Sequence, residues 1–81
     1  MSFLIAGTAF YKDVASLEVG DRLELVDYHT RIAVMHDKEL CGFVPSGHVI
    51  SLPSSVTVIE KIPMTKYFPI VYSIRVHLNP S

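Results

Sequence analysis

The chain has 81 residues, enough for one domain spanning residues 1–81 and too few for a second core. Apolar residues make up 49% of the chain and its mean hydropathy is +0.36, which is more apolar surface than one small core hides, so we expect a homodimer or a protein partner. The net charge of −1 lacks the basic surplus of a dedicated non-specific duplex binder, because phosphate contacts dominate the affinity of such proteins.

The single cysteine and the lengths of the apolar runs indicate where in the cell the protein is expected. Cys41 is the only cysteine, so an intrachain disulfide is excluded and an intracellular, cytoplasmic location is favoured. The apolar start of the chain lacks the basic region and the small-residue cleavage site of a signal peptide. No apolar run is long enough to cross a bilayer, so we expect no membrane partner.

The N-terminal part predicts two strands separated by a turn. Residues 3–10 form an apolar run interrupted by Gly7, which predicts a strand with a bulge at the glycine. Residues 12–18 are too few for a regular helix and predict a turn or one helical turn. The polar–apolar alternation of Arg22–Val26 predicts a half-buried strand, followed by a connector at Asp27–Thr30.

Two further strands complete a predicted meander. Arg31–His36 has the pattern of a strand, and Asp37–Lys38 predicts a tight turn after it. Leu40–Val44 then predicts a short strand that ends at Pro45. Because loops of a few residues join these segments, we expect them to pair antiparallel.

The C-terminal half predicts two longer strands. Residues 46–51 have room for a short helix after the proline. Ser55–Ile62 predicts a strand in which Ile59 breaks the alternation, so we expect a bulge there. Residues 63–68 predict a connector, and Ile70–Leu78 alternates more strictly than any other segment, which predicts a strand.

Five to six short strands in a chain of this length predict an all-β fold. We expect antiparallel strands in a small barrel or a strongly curved sheet, with one or two short helical turns. Closure of the sheet would remove exposed edges that such apolar strands otherwise present to solvent.

Three segments together resemble the HIRAN domain family. Ile5–Tyr11 resembles the opening strand of that family, and Val19–Val26, with its Gly-Asp lead, resembles the second strand. Arg31–Val34 and Leu40–Pro45 resemble its stretch "A-I-x-V … G-[YHF]-[VL]-P". The resemblance covers about residues 4–50, and it implies an SH3- or OB-like barrel found in DNA-repair helicases and as stand-alone bacterial or phage proteins.

The resemblance also implies binding of the 3′ end of single-stranded DNA. Family binders stack a base on an aromatic residue of the first strand, where this chain has Phe10 and Tyr11. They hold the terminal nucleotide with a loop of the type "N-P-Y-D-x-N-A", whereas the stretch Asp27–Arg31 is shorter and lacks both asparagines. Phe43 and Ser46 replace polar or basic family residues. These departures leave the fold inference intact and argue against a retained 3′-end pocket.

Eight residues are candidates for binding nucleic acid or a partner. Phe10 and Tyr11 are adjacent, so on a strand one of them faces solvent and can stack a base, while the alternative is that both fill the core and its rim. An aromatic ring, two donors and a carboxylate meet at the Asp27–Arg31 connector, whose alternative is an ordinary polar turn. Near the C-terminus a basic face interleaved with aromatic residues is the third candidate, whose alternative is an ordinary solvated strand face. The eight residues are Phe10, Tyr11, Tyr28, His29, Arg31, Phe43, Arg75 and His77.

The sequence gives no pattern typical of an enzyme, a metal site or a cofactor site. His36, His48 and His77 are far apart and lack the spacing of metal ligands. Cys41 beside Gly42 is more typical of a small buried apolar side chain than of a nucleophile. We therefore expect no enzyme activity, no metal and no cofactor.

Two functional hypotheses follow from the sequence. The first is a HIRAN-like module that binds single-stranded DNA or strand ends. The second is a protein-interaction module or inhibitor of phage or mobile-element origin that docks on a host enzyme or defence complex. Near-neutral charge and excess apolar content favour the second hypothesis, and the family resemblance favours the first.

Overall fold

Six β-strands make up most of the part of the chain that the structure describes. The computed structural model describes residues 1–5, 16–45, 47–48, 50–65 and 71–80. The strands are β1 (Ser2–Ile5), β2 (Arg22–Tyr28), β3 (Arg31–His36), β4 (Glu39–Phe43), β5 (Ser54–Met64) and β6 (Val71–Leu78). The domain is therefore all-β, as the strand patterns predict, and its described part contains no α-helix. Ser16, in the segment predicted as a turn or one helical turn, has 3₁₀ geometry, and residues 12–15 of that segment are not described.

All six strands belong to one antiparallel sheet with the order β1-β6-β5-β2-β3-β4. The predicted meander of β2, β3 and β4 is confirmed. Strands β1 and β4 are the two edges, and among the described residues no ladder of hydrogen bonds joins them. The sheet is thus open in its hydrogen bonding, whereas the sequence suggested closure.

Curvature nevertheless brings the two edges into contact. Five spacings of about 4.8 Å would separate β1 from β4 by about 24 Å in a flat sheet. Instead, a Cβ added at Gly42 of β4 would lie 2.9 Å from the Cγ2 of Ile5 on β1. The ring of Phe3 on β1 also lies 5.0 Å from the ring of His48, which follows β4. The architecture is therefore barrel-like without being a closed barrel.

The core lies on one face of this sheet, which we call the inner face. Every second residue of a strand faces the core, because successive side chains point to opposite faces of the sheet. The largest fully buried side chains are Ile5, Leu17, Leu23, Val34, Cys41, Val56, Val58, Ile74 and Val76. Cys41 is buried, as expected for a small apolar residue.

Two tight turns have left-handed backbone. Asp37 and Lys38 join β3 to β4 with φ angles of 48° and 69°, which confirms the predicted turn. His29, with a φ angle of 59°, begins the turn between β2 and β3. Strand β2 continues to Tyr28, so the connector is His29–Thr30 and is shorter than the sequence predicts.

Strand bounds depart from prediction mainly at β5. Its register shifts between Val58 and Glu60, which confirms the bulge, and Ile59 is 44% exposed. The strand continues through Pro63 to Met64, where a connector was expected, because β6 pairs with it to that point.

Other predicted features lie partly outside the described residues. Of the predicted first strand, residues 6–10 are not described. The predicted helix at 46–51 is not seen, since the described residues in that range, 47, 48, 50 and 51, are not helical. Within the described part of the chain, no helix has the length and apolar character needed to span a membrane.

Candidate nucleic-acid interface

The β2–β3 hairpin end presents the first group of candidate residues. Tyr28 and Arg31 are directly paired across the two strands, and His29 and Thr30 form the turn between them. Because paired residues project to the same face of a sheet, the Tyr28 ring and the Arg31 side chain lie side by side. The short turn thus fixes both groups on the outer face, opposite the core.

Phe43 of β4 joins these residues from the neighbouring strand. The ring centroids of Tyr28 and Phe43 are 5.8 Å apart with an interplanar angle of 56°. The guanidinium carbon of Arg31 lies 3.8 Å from the Phe43 ring centroid, which is a cation–π contact. The ring of His29 lies 5.3 Å from that of Tyr28, edge to face. We call Tyr28, His29, Arg31 and Phe43 the aromatic cluster.

Strand register explains why the cluster forms. Ala33 of β3 pairs with Val26 on one side and with Phe43 on the other, so these residues share the outer face. Ala33 is fully buried although it is on the outer face, which means that larger neighbouring side chains cover it. A small residue at position 33 therefore lets side chains from β2 and β4 approach each other across β3.

The aromatic cluster is accessible. Tyr28 is 52% exposed, His29 and Arg31 are exposed, and Phe43 is half-buried. In the described part of the chain, the salt bridges are Arg75–Glu60 and His36–Asp37, so no carboxylate pairs with Arg31. A planar cation held on a ring and beside a second ring can stack a flat, electron-rich group.

A groove of about 300 Å³ adjoins the aromatic cluster. It lies between the start of β3 and the segment after β4. Arg31 lines the groove and also belongs to the aromatic cluster. The lining residues of the groove are Thr30, Arg31, Ile32, Val44, Pro45, Gly47 and His48. Of these, only Arg31 is among the eight binding candidates from the sequence. The β3–β4 pairing, which continues in the hydrogen bond from the Val44 amide to the Ile32 carbonyl, brings the segment after β4 beside the start of β3.

The C-terminal candidates lie elsewhere on the sheet. Arg75 and His77 share the outer face of β6, and β5 and β2 separate that strand from β3. The Nε of Arg75 lies 3.2 Å from the Oε1 of Glu60, so its charge has a partner. Lys61 is on the opposite face, with its Nζ 4.5 Å from the Tyr72 ring centroid. These residues do not join the aromatic cluster.

Two sequence candidates cannot be placed. Phe10 and Tyr11 lie outside the described residues. Among the residues that are described, no three His, Cys, Asp or Glu side chains are grouped closely enough to hold a metal ion.

Comparison of the chain with protein-family models, with curated proteins and with solved structures found no match.

Proposed function

We propose that this domain is a non-catalytic binding module for single-stranded nucleic acid, with the aromatic cluster as its base-stacking surface. The observation that carries the proposal is the placement of Tyr28, Arg31 and Phe43 on one exposed face of three neighbouring strands. Aromatic rings and guanidinium groups on a sheet face stack bases without needing a particular sequence, because every base has a π-face.

Single strands fit this surface better than duplexes do. Bases in a duplex are stacked on each other and expose only their edges in the grooves, whereas bases of a single strand are free to stack on side chains. Duplex binding also draws most of its affinity from phosphate contacts, and the net charge of −1 offers few of them. Stacking therefore supplies a large share of the affinity in this proposal.

The resemblance to HIRAN domains supports the same ligand class. In that family the ligand loop corresponds to the stretch that contains Tyr28, His29 and Arg31, which is where the aromatic cluster lies. Since this chain lacks both loop asparagines, we expect binding along the strand and no preference for its 3′ end.

Fluorescence anisotropy with labelled oligonucleotides tests the proposal at low salt. A single strand should bind with a dissociation constant of about 1–100 µM, and the duplex of the same sequence at least about tenfold more weakly. A single strand with a blocked 3′ end should bind as well as one with a free end. Absence of single-strand binding, or tighter binding of the duplex, would contradict the proposal.

A protein-interaction module is the second candidate, and a different surface favours it. Val19 is 64% exposed and Ile59 is 44% exposed. The amide of Gly20 donates to the carbonyl of Val58 at 2.8 Å, so the backbone next to Val19 lies beside the backbone next to Ile59. Exposed apolar groups of this kind are typical of contact surfaces.

The two candidates predict opposite effects of two variants. If the domain binds a host protein through this surface, Ile59→Lys should abolish that complex and Tyr28→Ala should leave it intact. If the domain binds single strands through the aromatic cluster, Tyr28→Ala should weaken oligonucleotide binding and Ile59→Lys should not. Anisotropy and pull-down experiments on the same two variants separate the hypotheses.

A further inference from the structure

We infer that the groove beside the aromatic cluster is a phosphate subsite, which binds the phosphate of the nucleotide whose base stacks on the cluster. The inference rests on the proposed function for the identity of the stacked group. The groove itself does not depend on that function, because its lining residues and its charge define it. Its volume of about 300 Å³ leaves room for a phosphate together with part of a sugar.

Uncommitted hydrogen-bond donors line this groove. The hydroxyl of Thr30, the imidazole of His48 and the amide of Gly47 have no hydrogen-bond partner within the described part of the chain. Gly47 has a φ of 97°, and a Cβ added there would meet no atom within 4 Å, so its backbone borders open space. Phosphate oxygens accept hydrogen bonds from hydroxyl, imidazole and amide donors of this kind.

The charge of the groove also favours an anion. Seven described residues line it, and these include Arg31 and no Asp or Glu. Since no described carboxylate forms an ion pair with Arg31, its charge is available to a ligand. An Arg guanidinium with free N–H donors is well suited to binding phosphate oxygens.

Arg31 connects the subsite to the stacking surface. Its guanidinium carbon lies 3.8 Å from the Phe43 ring centroid, and the residue also lines the groove. A base on the aromatic cluster and a phosphate in the groove would therefore both lie within reach of one side chain. This arrangement suits a nucleotide, in which a sugar joins the base to its phosphate.

The ring of His48 packs against the ring of Phe3. It lies 5.0 Å from the ring of Phe3 on β1 with an interplanar angle of 37°. Phe3 is buried in the core, so this contact limits the orientations that the imidazole can adopt. Preorganised donors bind a ligand with a smaller loss of conformational entropy.

Two-dimensional ¹H–¹⁵N NMR of the full chain tests the inference with small probes. Inorganic phosphate, acetate and chloride are titrated separately at constant ionic strength, followed by thymidine and thymidine monophosphate. We expect phosphate to shift the amide signals of Thr30, Arg31, Gly47 and His48, and acetate and chloride to shift them much less. Thymidine monophosphate should bind about tenfold more tightly than thymidine.

Matched threonine variants isolate the groove. Thr30→Val should lower the affinities for phosphate and for thymidine monophosphate by at least about threefold, because it removes one hydrogen-bond donor of the subsite. The affinity for thymidine should stay unchanged. Thr65→Val replaces an exposed threonine outside the groove and should change none of the three affinities. The dispersion of the spectra shows whether each variant is folded.

The outcomes separate the subsite from the proposed function. If oligonucleotides shift the aromatic cluster but phosphate moves no groove amide, and thymidine monophosphate binds no better than thymidine, the subsite is overturned and the proposed function stands. If oligonucleotides do not bind but phosphate saturates the groove, the groove is a free-phosphate site and the proposed function fails. Equal shifts of the groove amides by phosphate and by acetate would show that the groove binds anions in general. That result would also overturn the phosphate subsite.

Discussion

The guanidinium carbon of Arg31 lies 3.8 Å from the ring centroid of Phe43, across the boundary between β3 and β4. Phe43 pairs directly with Ala33, so Arg31 reaches it diagonally, from two residues along β3. The ring therefore orients a cation that has no carboxylate partner among the described residues. Orientation by a ring leaves the charge of Arg31 available to a ligand.

Removal of the exposed ring of the aromatic cluster should weaken single-strand binding. Tyr28→Ala should raise the dissociation constant about 5- to 150-fold, because stacking one base contributes about 1–3 kcal/mol. Fluorescence anisotropy measures the change. His77→Ala removes an exposed ring on β6 and is the control, for which we expect the affinity of the wild type. Equal losses of affinity in Tyr28→Ala and His77→Ala would show that the ligand does not bind at the aromatic cluster in particular.

Substitution of Arg31 should separate its charge from its planar shape. Arg31→Gln should lower the affinity and reduce the slope of log K against log salt by about 0.7, the value for one phosphate contact with a single strand. Arg31→Lys should retain that slope and still lose affinity, since an ammonium group does not stack as a guanidinium does. Arg22→Gln, at the other end of β2, is the matched control and should change neither quantity. A salt slope unchanged in Arg31→Gln would contradict the assigned role.

Contact between the two sheet edges should limit the size of residue 42. Gly42→Ala should lower the free energy of unfolding by about 1–3 kcal/mol, because its Cβ would lie 2.9 Å from the Cγ2 of Ile5. Urea unfolding measures this change. Ile5→Ala should itself lower stability by about 2–5 kcal/mol, since Ile5 is fully buried.

The double variant tests whether the two residues are coupled. Removal of the Ile5 side chain makes room for the new methyl group, so the double variant should be more stable than the sum of the single effects by at least about 0.5 kcal/mol. Strict additivity would show that the edges do not meet at this point.

The β3–β4 turn should be improved by a glycine. Lys38 has a φ of 69°, where a side chain is disfavoured, so Lys38→Gly should raise the free energy of unfolding by about 1 kcal/mol. Lys38→Ala keeps the unfavourable Cβ and should stay within about 0.5 kcal/mol of the wild type. Thermal unfolding distinguishes the two variants, and equal stability of both would argue against left-handed backbone at this position.

Local patterns predict much of the sheet. The bounds of β3 agree with prediction, and the alternation of residues 70–78 predicts β6 to within one residue. The bulge at Ile59 and the turn at Asp37–Lys38 also follow from sequence, because each depends on neighbours along the chain. Pro63 was wrongly expected to end β5, since pairing with Tyr72 continues the strand past it.

The candidate site is only partly predictable. Tyr28, His29 and Arg31 are close in sequence, so a hairpin necessarily brings them together. The contact with Phe43 depends on the β3–β4 register, which shifts between Val34 and Met35. No sequence pattern indicates that shift. The ring of His48, which follows β4, lies 5.0 Å from the ring of Phe3 on β1, so its position depends on packing between segments that are distant in sequence.

The most direct test of the account is to map a bound oligonucleotide on the protein by ¹H–¹⁵N NMR. A single-stranded oligothymidylate is titrated into the full chain until the signals stop moving. If the strand binds across the aromatic cluster and the groove, the largest shifts fall on the amides of residues 28–31, 43–44 and 47–48. Shifts centred on β6 or on Val19 and Ile59, or no shifts at saturating oligonucleotide, would contradict it.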